Sequence, residues 1–506
     1  MPFSPNRRTF IGILACSVAG FLVPTWAQED RRRGGMWDVP GDENALPPEL
    51  AEYARLSVVL GRITDRSITV SALAVEPLEG YLEYGTAPGT YSQKTPLLKF
   101  PASDPVETVF NQLQPGTSYF YRLQYRKQGE VAFHPRPESR FHTQRTAGDT
   151  FVFGVQGDSH PERPQMHDAT LYARTLLNAA AGYPDFYLCL GDDFSVDKLR
   201  EFNASTLAQP YLLQRPFLGL IGQTAPLFLV NGNHEQASLF NFNQTDERHQ
   251  VAVGAQNARN RYYPTPQPNG FYTGDGDSPQ SIGPLKDYYA WTWGDALFVA
   301  LDNYWHSPAQ VDSGLHGGHG QGRDDPKNRD WWGITLGDAQ YQWFKRTLEQ
   351  SRAKYKFVFA HHVLGTGRGG VEEADLYEWG GHNRRGDWEF DRMRPGWELP
   401  IHQLMAKHGV TIFFHGHDHL FARQERDGVI YQEVPLPADP FYELRNGERY
   451  ENGVKLPNTG HVRVTVSPAQ VKVDYIRCYL PKDETAQQKT GEVAYSYTVP
   501  ARNSHA

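Results

Sequence analysis

Apolar and polar residues alternate with a period of two between residues 55 and 145. Stretches such as "SITVSALAV", "EGYLEYG" and "SYFYRLQYR" place every second side chain on one face, and turn residues separate them. This pattern is typical of strands with one buried face, and several such strands in succession favour a sandwich. The sequence therefore predicts a small, all-β, antiparallel sandwich over residues 55–145.

The pattern changes beyond this region, where short apolar runs such as "TFVFGVQ", "DFYLCL" and "KFVFA" alternate with helical segments. A helix is predicted over 338–352, with Asp338 as its N-cap. A hairpin is predicted over 288–302, turning at Gly294–Asp295. Together these elements favour a layered α/β domain over 149–500, with mixed sheets flanked by helices rather than one doubly wound parallel sheet.

The first 27 residues have the pattern of an export signal. Two consecutive arginines, Arg7 and Arg8, precede a modest apolar run, and Ala27–Gln28 offers a cleavage point. These features are typical of a bacterial twin-arginine signal, which predicts a periplasmic or extracellular protein. Two alternatives stay open: an uncleaved membrane anchor and a lipoprotein signal at Cys16.

Length and composition narrow the classes of function. A chain of 506 residues exceeds one ordinary core, and the charged, Gly- and Pro-rich residues 28–54 are expected to be a linker. A formal charge of −8 argues against nucleic-acid binding, which needs a basic face. No membrane partner is expected after signal cleavage, and the oligomeric state is left open. An acidic protein that handles phosphate must concentrate positive charge locally, and metal ions would do so.

Five apolar runs of the second region end in residues that bind metals. They are Asp158 and His160 in "GDSH", Asp192 in "GDDF", Asn233 and His234 in "GNHE", His361 and His362 in "FAHH", and His417 and His419 in "GHDH". Carboxylate, imidazole and amide oxygen together suit Zn²⁺, Mn²⁺ or Fe. One carboxylate can bridge two ions about 3.5–4 Å apart. A single block carries little information, but five in succession predict a two-metal site.

In these blocks and their order, the sequence resembles the calcineurin-like metallophosphoesterase family. With the N-terminal sandwich included, it is most similar to the purple acid phosphatases, since "LQPGTSYFYRLQY" and "YGTAPGTY" resemble a fibronectin type III module. The resemblance implies the metallophosphoesterase fold and two transition-metal ions (Fe, Mn or Zn). It implies that the first ion is held by Asp158, His160 and His419, the second by Asn233, His361 and His417, and that Asp192 bridges both.

The same resemblance implies the catalytic roles. His234 would contact the phosphate or protonate the leaving alkoxide, and a hydroxide shared by the metals would be the nucleophile. Purple acid phosphatases carry a tyrosine ligand three residues after the bridging aspartate, where this chain has Ser195, and they lack the histidine that is present here as His160. Imidazole is therefore expected to replace phenolate, and the purple colour to be absent. The residue that orients His234 is left open between Asp197 and Glu235.

Several residues near the blocks have less certain roles. The pattern of relatives favours His361 over His362 as the ligand, and His362 is a candidate substrate contact. Arg368 is a second candidate, because a guanidinium can bind phosphate with two hydrogen bonds. His415 is expected to be structural, and the segment 315–325, with its two histidines, is interpreted as a polar loop rather than an extra metal site.

The favoured function is that of an exported dinuclear-metal phosphatase, with Asp192 and His234 as catalytic residues and a small-molecule phosphomonoester as substrate. A phosphodiesterase or nucleotidase with the same metal core is the alternative, because loops decide the substrate. A cell-surface binding protein with a vestigial site is a third reading, which the intact ligand set disfavours.

Overall fold

The computed structural model describes residues 45–235, 250–307, 330–363 and 368–501. The predicted signal, most of the predicted linker and the segment 315–325 lie outside these ranges. The last residues of the predicted linker, together with the first residue of the predicted sandwich, form a short helix, α1 (Ala51–Arg55). Within the described ranges, no helix has the length and apolar character needed to cross a membrane.

The N-terminal region consists of two antiparallel sheets. Its strands are β1 (Leu56–Gly61), β2 (Ile68–Ala74), β3 (Leu78–Gly85), β4 (Gln93–Lys94), β5 (Leu98–Phe100), β6 (Val106–Phe110), β7 (Ser118–Lys127), β8 (His134–Pro135) and β9 (Ser139–His142). Strands β1, β2 and β6 form one sheet, and the others assemble around β3 and β7. Tyr84 and Phe110 stack between the sheets with ring centroids 4.0 Å apart. The predicted all-β sandwich is confirmed, whereas the fibronectin type III resemblance stays a prediction.

Two mixed sheets make up the second region. Their strands are β10 (Phe151–Gln156), β11 (Phe186–Cys189), β12 (Leu227–Leu229), β13 (Thr273–Gly274), β14 (Tyr289–Trp293), β15 (Ala296–Ala300), β16 (Tyr355–Phe359), β17 (Ile412–His415), β18 (Phe421–Arg426), β19 (Val429–Glu433), β20 (Val454–Leu456), β21 (Gly460–Val466), β22 (Gln470–Arg477) and β23 (Val493–Pro500). One sheet has the order β12-β11-β10-β21-β22-β23 and the other β13-β14-β15-β16-β17-β19-β18-β20. Strands β10, β11 and β12 run parallel, as do β15, β16, β17 and β19.

An aromatic core joins the inner faces of these two sheets. Phe153 of β10 stacks on Phe186 of β11 at 5.4 Å and meets Phe298 of β15, across the interface, edge to face at 5.2 Å. Phe359 and Phe414, on neighbouring strands, stack at 5.1 Å. Because these side chains are fully buried and in contact, they fix how the carboxyl ends of the strands face each other.

Helices cover the outer faces of both sheets. They are α2 (Ala169–Ala181), α3 (Ala204–Gly222), α4 (Gln250–Tyr262), α5 (Asp338–Gln350), α6 (Tyr377–Gly380), α7 (Phe390–Met393) and α8 (Ile401–Lys407). Helices α2 and α3 pack on the sheet that contains β11 and β12, whereas α5 and α8 pack on the sheet that contains β15, β16 and β17. The predicted layered α/β fold with mixed sheets is therefore confirmed.

Two local predictions have different outcomes. The hairpin turn at Gly294–Asp295 is confirmed, because Trp293 pairs with Ala296. The prediction that Asp338 caps α5 is wrong, because Gly337, with φ of 77°, is the N-cap and Asp338 is the first helical residue. The carboxylate of Asp338 instead accepts a hydrogen bond from Trp397 Nε1 at 2.7 Å.

A buried arginine of α3 joins the two regions. The guanidinium of Arg215 donates to the backbone carbonyl of Ser71 in β2 at 2.8 Å and to that of Tyr262 at 2.6 Å. Tyr121 of β7 donates to the carbonyl of Gln223, just beyond α3, at 2.6 Å. Burial lowers the pKa of Arg215 to about 10, which leaves it charged at neutral pH. The sandwich therefore supplies acceptors to a cation in the interior of the larger region.

Candidate metal centre

The strands bring the predicted ligands to one edge, because the carboxyl ends of parallel strands meet there. Asp158 and His160 follow β10, Asp192 follows β11, Asn233 follows β12, His361 follows β16, and His417 and His419 follow β17. All seven side chains are buried, with at most 3% of any residue exposed. The two sheets thus bring together residues that lie up to 261 positions apart in sequence.

Asp158, His160 and His419 form the first cluster. One ligand atom of each lies within 4.8 Å of the others. His419 Nε2 is 3.0 Å from Asp158 Oδ2 and 3.2 Å from His160 Nε2. Burial lowers the pKa of His419 to about 3, so this imidazole is neutral, the form that coordinates metals.

A second cluster forms around His361. Its Nε2 lies 3.2 Å from Asp192 Oδ2, 3.0 Å from Asn233 Oδ1 and 3.2 Å from His417 Nδ1. The same Asp192 oxygen lies 3.6 Å from His160 Nε2, which belongs to the first cluster. Asp192 therefore lies between the two clusters, where a bridging carboxylate would be needed.

The donor set of the second cluster fits a metal ion. His361 Nδ1 lies 2.8 Å from the carbonyl oxygen of Leu190, which can only accept, so this nitrogen carries the hydrogen. The Nε2 lone pair then faces the oxygens of Asp192 and Asn233, and nothing but a cation or a proton makes that arrangement favourable. Burial by itself would lower the pKa of His361, but Asp192 and Asp158 raise it to about 10. The cluster thus draws positive charge to the point where its donors meet.

The backbone of the ligand loops is strained. His160, Asp192, His417 and His419 have φ values of 42°, 58°, 75° and 64°, in the left-handed region that non-glycine residues seldom adopt. Such conformations cost of order 1–3 kcal/mol each and concentrate at functional sites. Four strained residues in one site indicate that the fold enforces this arrangement of ligands.

Glu162 supports the first cluster and was not identified from the sequence. Its Oε1 accepts from His160 Nδ1 at 2.9 Å, and both side chains are almost fully buried. A carboxylate behind a histidine ligand fixes the ring orientation and increases the basicity of the coordinating nitrogen. The only available signal was the spacing of two residues between His160 and Glu162, which is too common to be informative.

The orientation of His234 is set by two charged groups. Asp197 Oδ1 lies 2.8 Å from Nδ1, and Arg163 donates to Nε2 at 2.8 Å. The pKa of Asp197 is lowered by His234 and Lys198 despite its burial, so this carboxylate only accepts. Because an arginine only donates, Nδ1 carries the hydrogen and Nε2 offers its lone pair. Arg163, like Glu162, was not identified from the sequence.

Glu235, the other candidate partner of His234, has a different role. Its carboxylate accepts from the backbone N–H groups of Asp192, Asp193 and Phe194 at 2.9, 2.7 and 2.9 Å. It also accepts from the N–H of Gly232 at 2.7 Å. Glu235 therefore holds the loop that carries Asp192, and the choice left open by the sequence falls on Asp197.

The remaining predicted residues lie at the border of the site. His362 Nδ1 is 2.8 Å from the hydroxyl of Tyr304, on the side of the site next to His417. Arg368 donates to the carbonyl of His417 and, at 3.1 Å, to Asp418 Oδ1. His415 Nδ1 lies 2.7 Å from a carboxylate oxygen of Glu433, and His415 belongs to none of the ligand clusters among the described residues.

Comparisons with known proteins agree with the fold. The family model of the calcineurin-like phosphoesterases matches residues 151–421. The solved structure of PhoD is 14% identical, has a TM-score of 0.57 and covers 91% of this chain and 92% of its own. The purple acid phosphatase PPD1 of yellow lupin (Lupinus luteus) is 16% identical, with a TM-score of 0.53 and coverage of 88% and 74%. These two likenesses concern the fold, and no curated protein matches the sequence. The chain belongs to the calcineurin-like phosphoesterase family.

Proposed function

We propose that this metal-dependent phosphoesterase is a dinuclear phosphatase that hydrolyses small-molecule phosphomonoesters outside the cytoplasm. The observation that carries the proposal is the position of Asp192 between two clusters of metal donors, with His234 3.7 Å from the same carboxylate oxygen. The proposed ligands of the two ions are Asp158, His160 and His419 for one, Asn233, His361 and His417 for the other, and Asp192 for both. Fe, Mn and Zn suit these donors.

Two bound ions would lower the pKa of bound water toward neutrality and offset the charge of the phosphate. The residues beside them would bind and protonate the substrate. Arg163 presents a guanidinium, and a phosphate group would bind it more strongly than a neutral imidazole does, because both partners are charged. Transfer of Arg163 from His234 to the phosphate would free the Nε2 lone pair.

His234 would then serve as the proton donor. With Nε2 free, the ring can take up a proton and donate it to the leaving oxygen. Asp197 accepts from Nδ1 and stabilises the imidazolium, so its position supports this role. Arg368 and His362 remain candidate substrate contacts, although Arg368 is held by Asp418 and His362 by Tyr304.

The proposal is tested by measuring hydrolysis of p-nitrophenyl phosphate and bis-p-nitrophenyl phosphate side by side, with protein reconstituted in Mn²⁺, Zn²⁺ or Fe. Asp192→Asn should abolish monoester turnover. Asp185→Asn is the matched control, because this buried carboxylate lies before β11, away from the ligand edge, and pairs with Arg145 at 2.9 Å. Preference for the diester would favour a phosphodiesterase, and inactivity with metal bound would contradict both readings.

Export is tested separately. If the predicted twin-arginine signal is used, the mature protein recovered from the periplasm or medium begins at Gln28. The double substitution Arg7→Lys and Arg8→Lys should retain the protein inside the cell. Accumulation of both forms in the same compartment would contradict the predicted location.

A further inference from the structure

A second group of metal-type residues lies along the same sheet edge, outside the centre described above. Asp275 follows β13, Asp287 precedes β14 and His306 follows β15. Strand β14 pairs antiparallel with both neighbours, with Tyr289 opposite Gly274 on one side and Ala300 on the other. The end of β13, the start of β14 and the end of β15 therefore meet at one place.

These three residues converge closely. One ligand atom of each lies within 4.8 Å of the others, and they share no member with the clusters around Asp192. Asp275 Oδ1 accepts from the N–H of Asp277 at 2.7 Å, and Asp287 Oδ1 accepts from the N–H of Tyr288 at 2.9 Å. Each carboxylate thus has one oxygen committed to its own loop.

The other donor atoms are buried without partners. Asp275 Oδ2, Asp287 Oδ2 and His306 Nε2 have no hydrogen-bond partner among the described residues, and Asp275 and Asp287 are 2% and 0% exposed. No lysine or arginine in the described part of the chain forms an ion pair with either carboxylate. Burying two carboxylates together without a cation is costly. Burial, the charges of Asp302 and Asp275, and the hydrogen bond that a protonated Asp287 can donate to Asp275 raise the pKa of Asp287 well above its usual range. Without a cation, the two carboxylates would therefore have to share a proton.

We propose that Asp275, Asp287 and His306 bind a further divalent metal ion, distinct from the dinuclear centre. Two carboxylates and one imidazole suit Zn²⁺ or Mn²⁺, whereas Ca²⁺ takes six to eight oxygen ligands. The three side chains supply three ligands, and water would complete the coordination.

The ion would fix the segment that supports one side of the active site. Asn303 Nδ2 donates to the carbonyl of His362 at 2.8 Å, and the Tyr304 hydroxyl lies 2.8 Å from His362 Nδ1. Asp302 Oδ2 accepts from Asn231 Nδ2 at 2.8 Å. Residues 302–304 therefore contact Asn231 and His362. A metal bound to His306 would connect this segment to the loop between β13 and β14. Its role is structural, because none of its ligands lies in the dinuclear centre.

Metal content and anomalous diffraction test the proposal. Full-length protein is loaded with Zn²⁺ or Mn²⁺, and bound ions are counted by mass spectrometry in wild type, His306→Gln and Asp287→Asn. Both variants should contain one ion per chain fewer than wild type, whatever number the Asp192 clusters hold. Asp277→Asn is the matched control, since this carboxylate is exposed and lies two residues from Asp275. An anomalous peak between the three side chains should appear in crystals of the wild type.

The outcomes separate the two sites. If His306→Gln loses one ion and retains those of the Asp192 clusters, the proposal is supported. This holds even if the protein proves not to be a monoesterase. Equal metal content in wild type and His306→Gln, or no anomalous peak at the cluster, overturns it. Because His306 is partly exposed, its variant is expected to fold even if Asp287→Asn does not. A rise in Tm for Asp287→Asn in the presence of metal would also overturn the proposal, since it would mean that the carboxylates only repel each other.

Discussion

Replacing Asp197 by asparagine tests whether His234 acts as a proton donor. The substitution keeps the shape of the side chain but removes the charge that faces Nδ1 at 2.8 Å, where Asp197 is 5% exposed and His234 1%. It also allows the ring to adopt the other tautomer, because an amide can donate as well as accept. The effect on folding should be small compared with the effect on catalysis.

The size of the effect follows from the strength of one buried hydrogen bond. A hydrogen bond to a charged group contributes about 1.5–3 kcal/mol, and each 1.36 kcal/mol changes a rate tenfold, so kcat should fall roughly 10- to 150-fold. The loss should be larger for an alkyl phosphate than for p-nitrophenyl phosphate, because p-nitrophenolate leaves without being protonated.

The assay is steady-state kinetics of Asp197→Asn with p-nitrophenyl phosphate and methyl phosphate, at equal metal content. Asp185→Asn, which removes a buried carboxylate at the opposite end of β11, controls for a general loss of stability. If Asp197→Asn retains more than half of the wild-type kcat on both substrates, the orientation of His234 does not limit the reaction. An equal loss on both substrates would assign His234 to phosphate binding rather than to proton donation.

Other predictions concern metal affinity and stability. Glu162→Gln should weaken metal binding about 10- to 100-fold, as expected for the partner of a histidine ligand, and isothermal titration of metal-free protein would measure it; unchanged affinity would exclude that role. Phe228→Ala should cost about 3–5 kcal/mol of unfolding free energy, because the ring is fully buried and stacks on Trp291 at 4.0 Å. Urea denaturation tests this value, and a loss below 1 kcal/mol would contradict the packing. Removal of metal with a chelator should lower Tm, since free metal at 100 times its Kd stabilises by about 2.7 kcal/mol; a Tm that is independent of metal would argue against binding at both clusters.

Much of the candidate site could be predicted because each ligand follows an apolar strand. The run "TIFFHGHDHL" predicts both a buried strand and a polar loop, and the fold brings His417 and His419 to the expected edge. The sandwich and the layered α/β domain were predictable for a related reason, since burial on one face leaves an alternating pattern and burial on both faces leaves a continuous apolar run.

What the sequence could not supply depends on contacts between loops. Glu162 and Arg163 lie in a polar stretch that has no periodicity, and their partners follow only from where the chain turns. Asp197 and Glu235 are indistinguishable in sequence, because both are carboxylates near the blocks. The choice follows from the contact of Asp197 with His234 Nδ1 and from the backbone N–H groups that bind Glu235. Asp275 follows β13, whose two residues leave no periodic signal, and Asp287 precedes the predicted hairpin, but nothing in the sequence indicates that the two carboxylates meet.

The contact of Arg215 with the sandwich has a consequence for how the protein unfolds. A chain that lacked residues 45–145 would deprive this guanidinium of the carbonyl and the hydroxyl of Ser71, and it would expose the surface of α3 that β1 covers. The sequence pattern thus changes near residue 148, but contacts across this boundary contribute to the stability of both regions. The two regions should melt in a single cooperative transition, and the sandwich should behave as an integral part of the enzyme rather than as a detachable module.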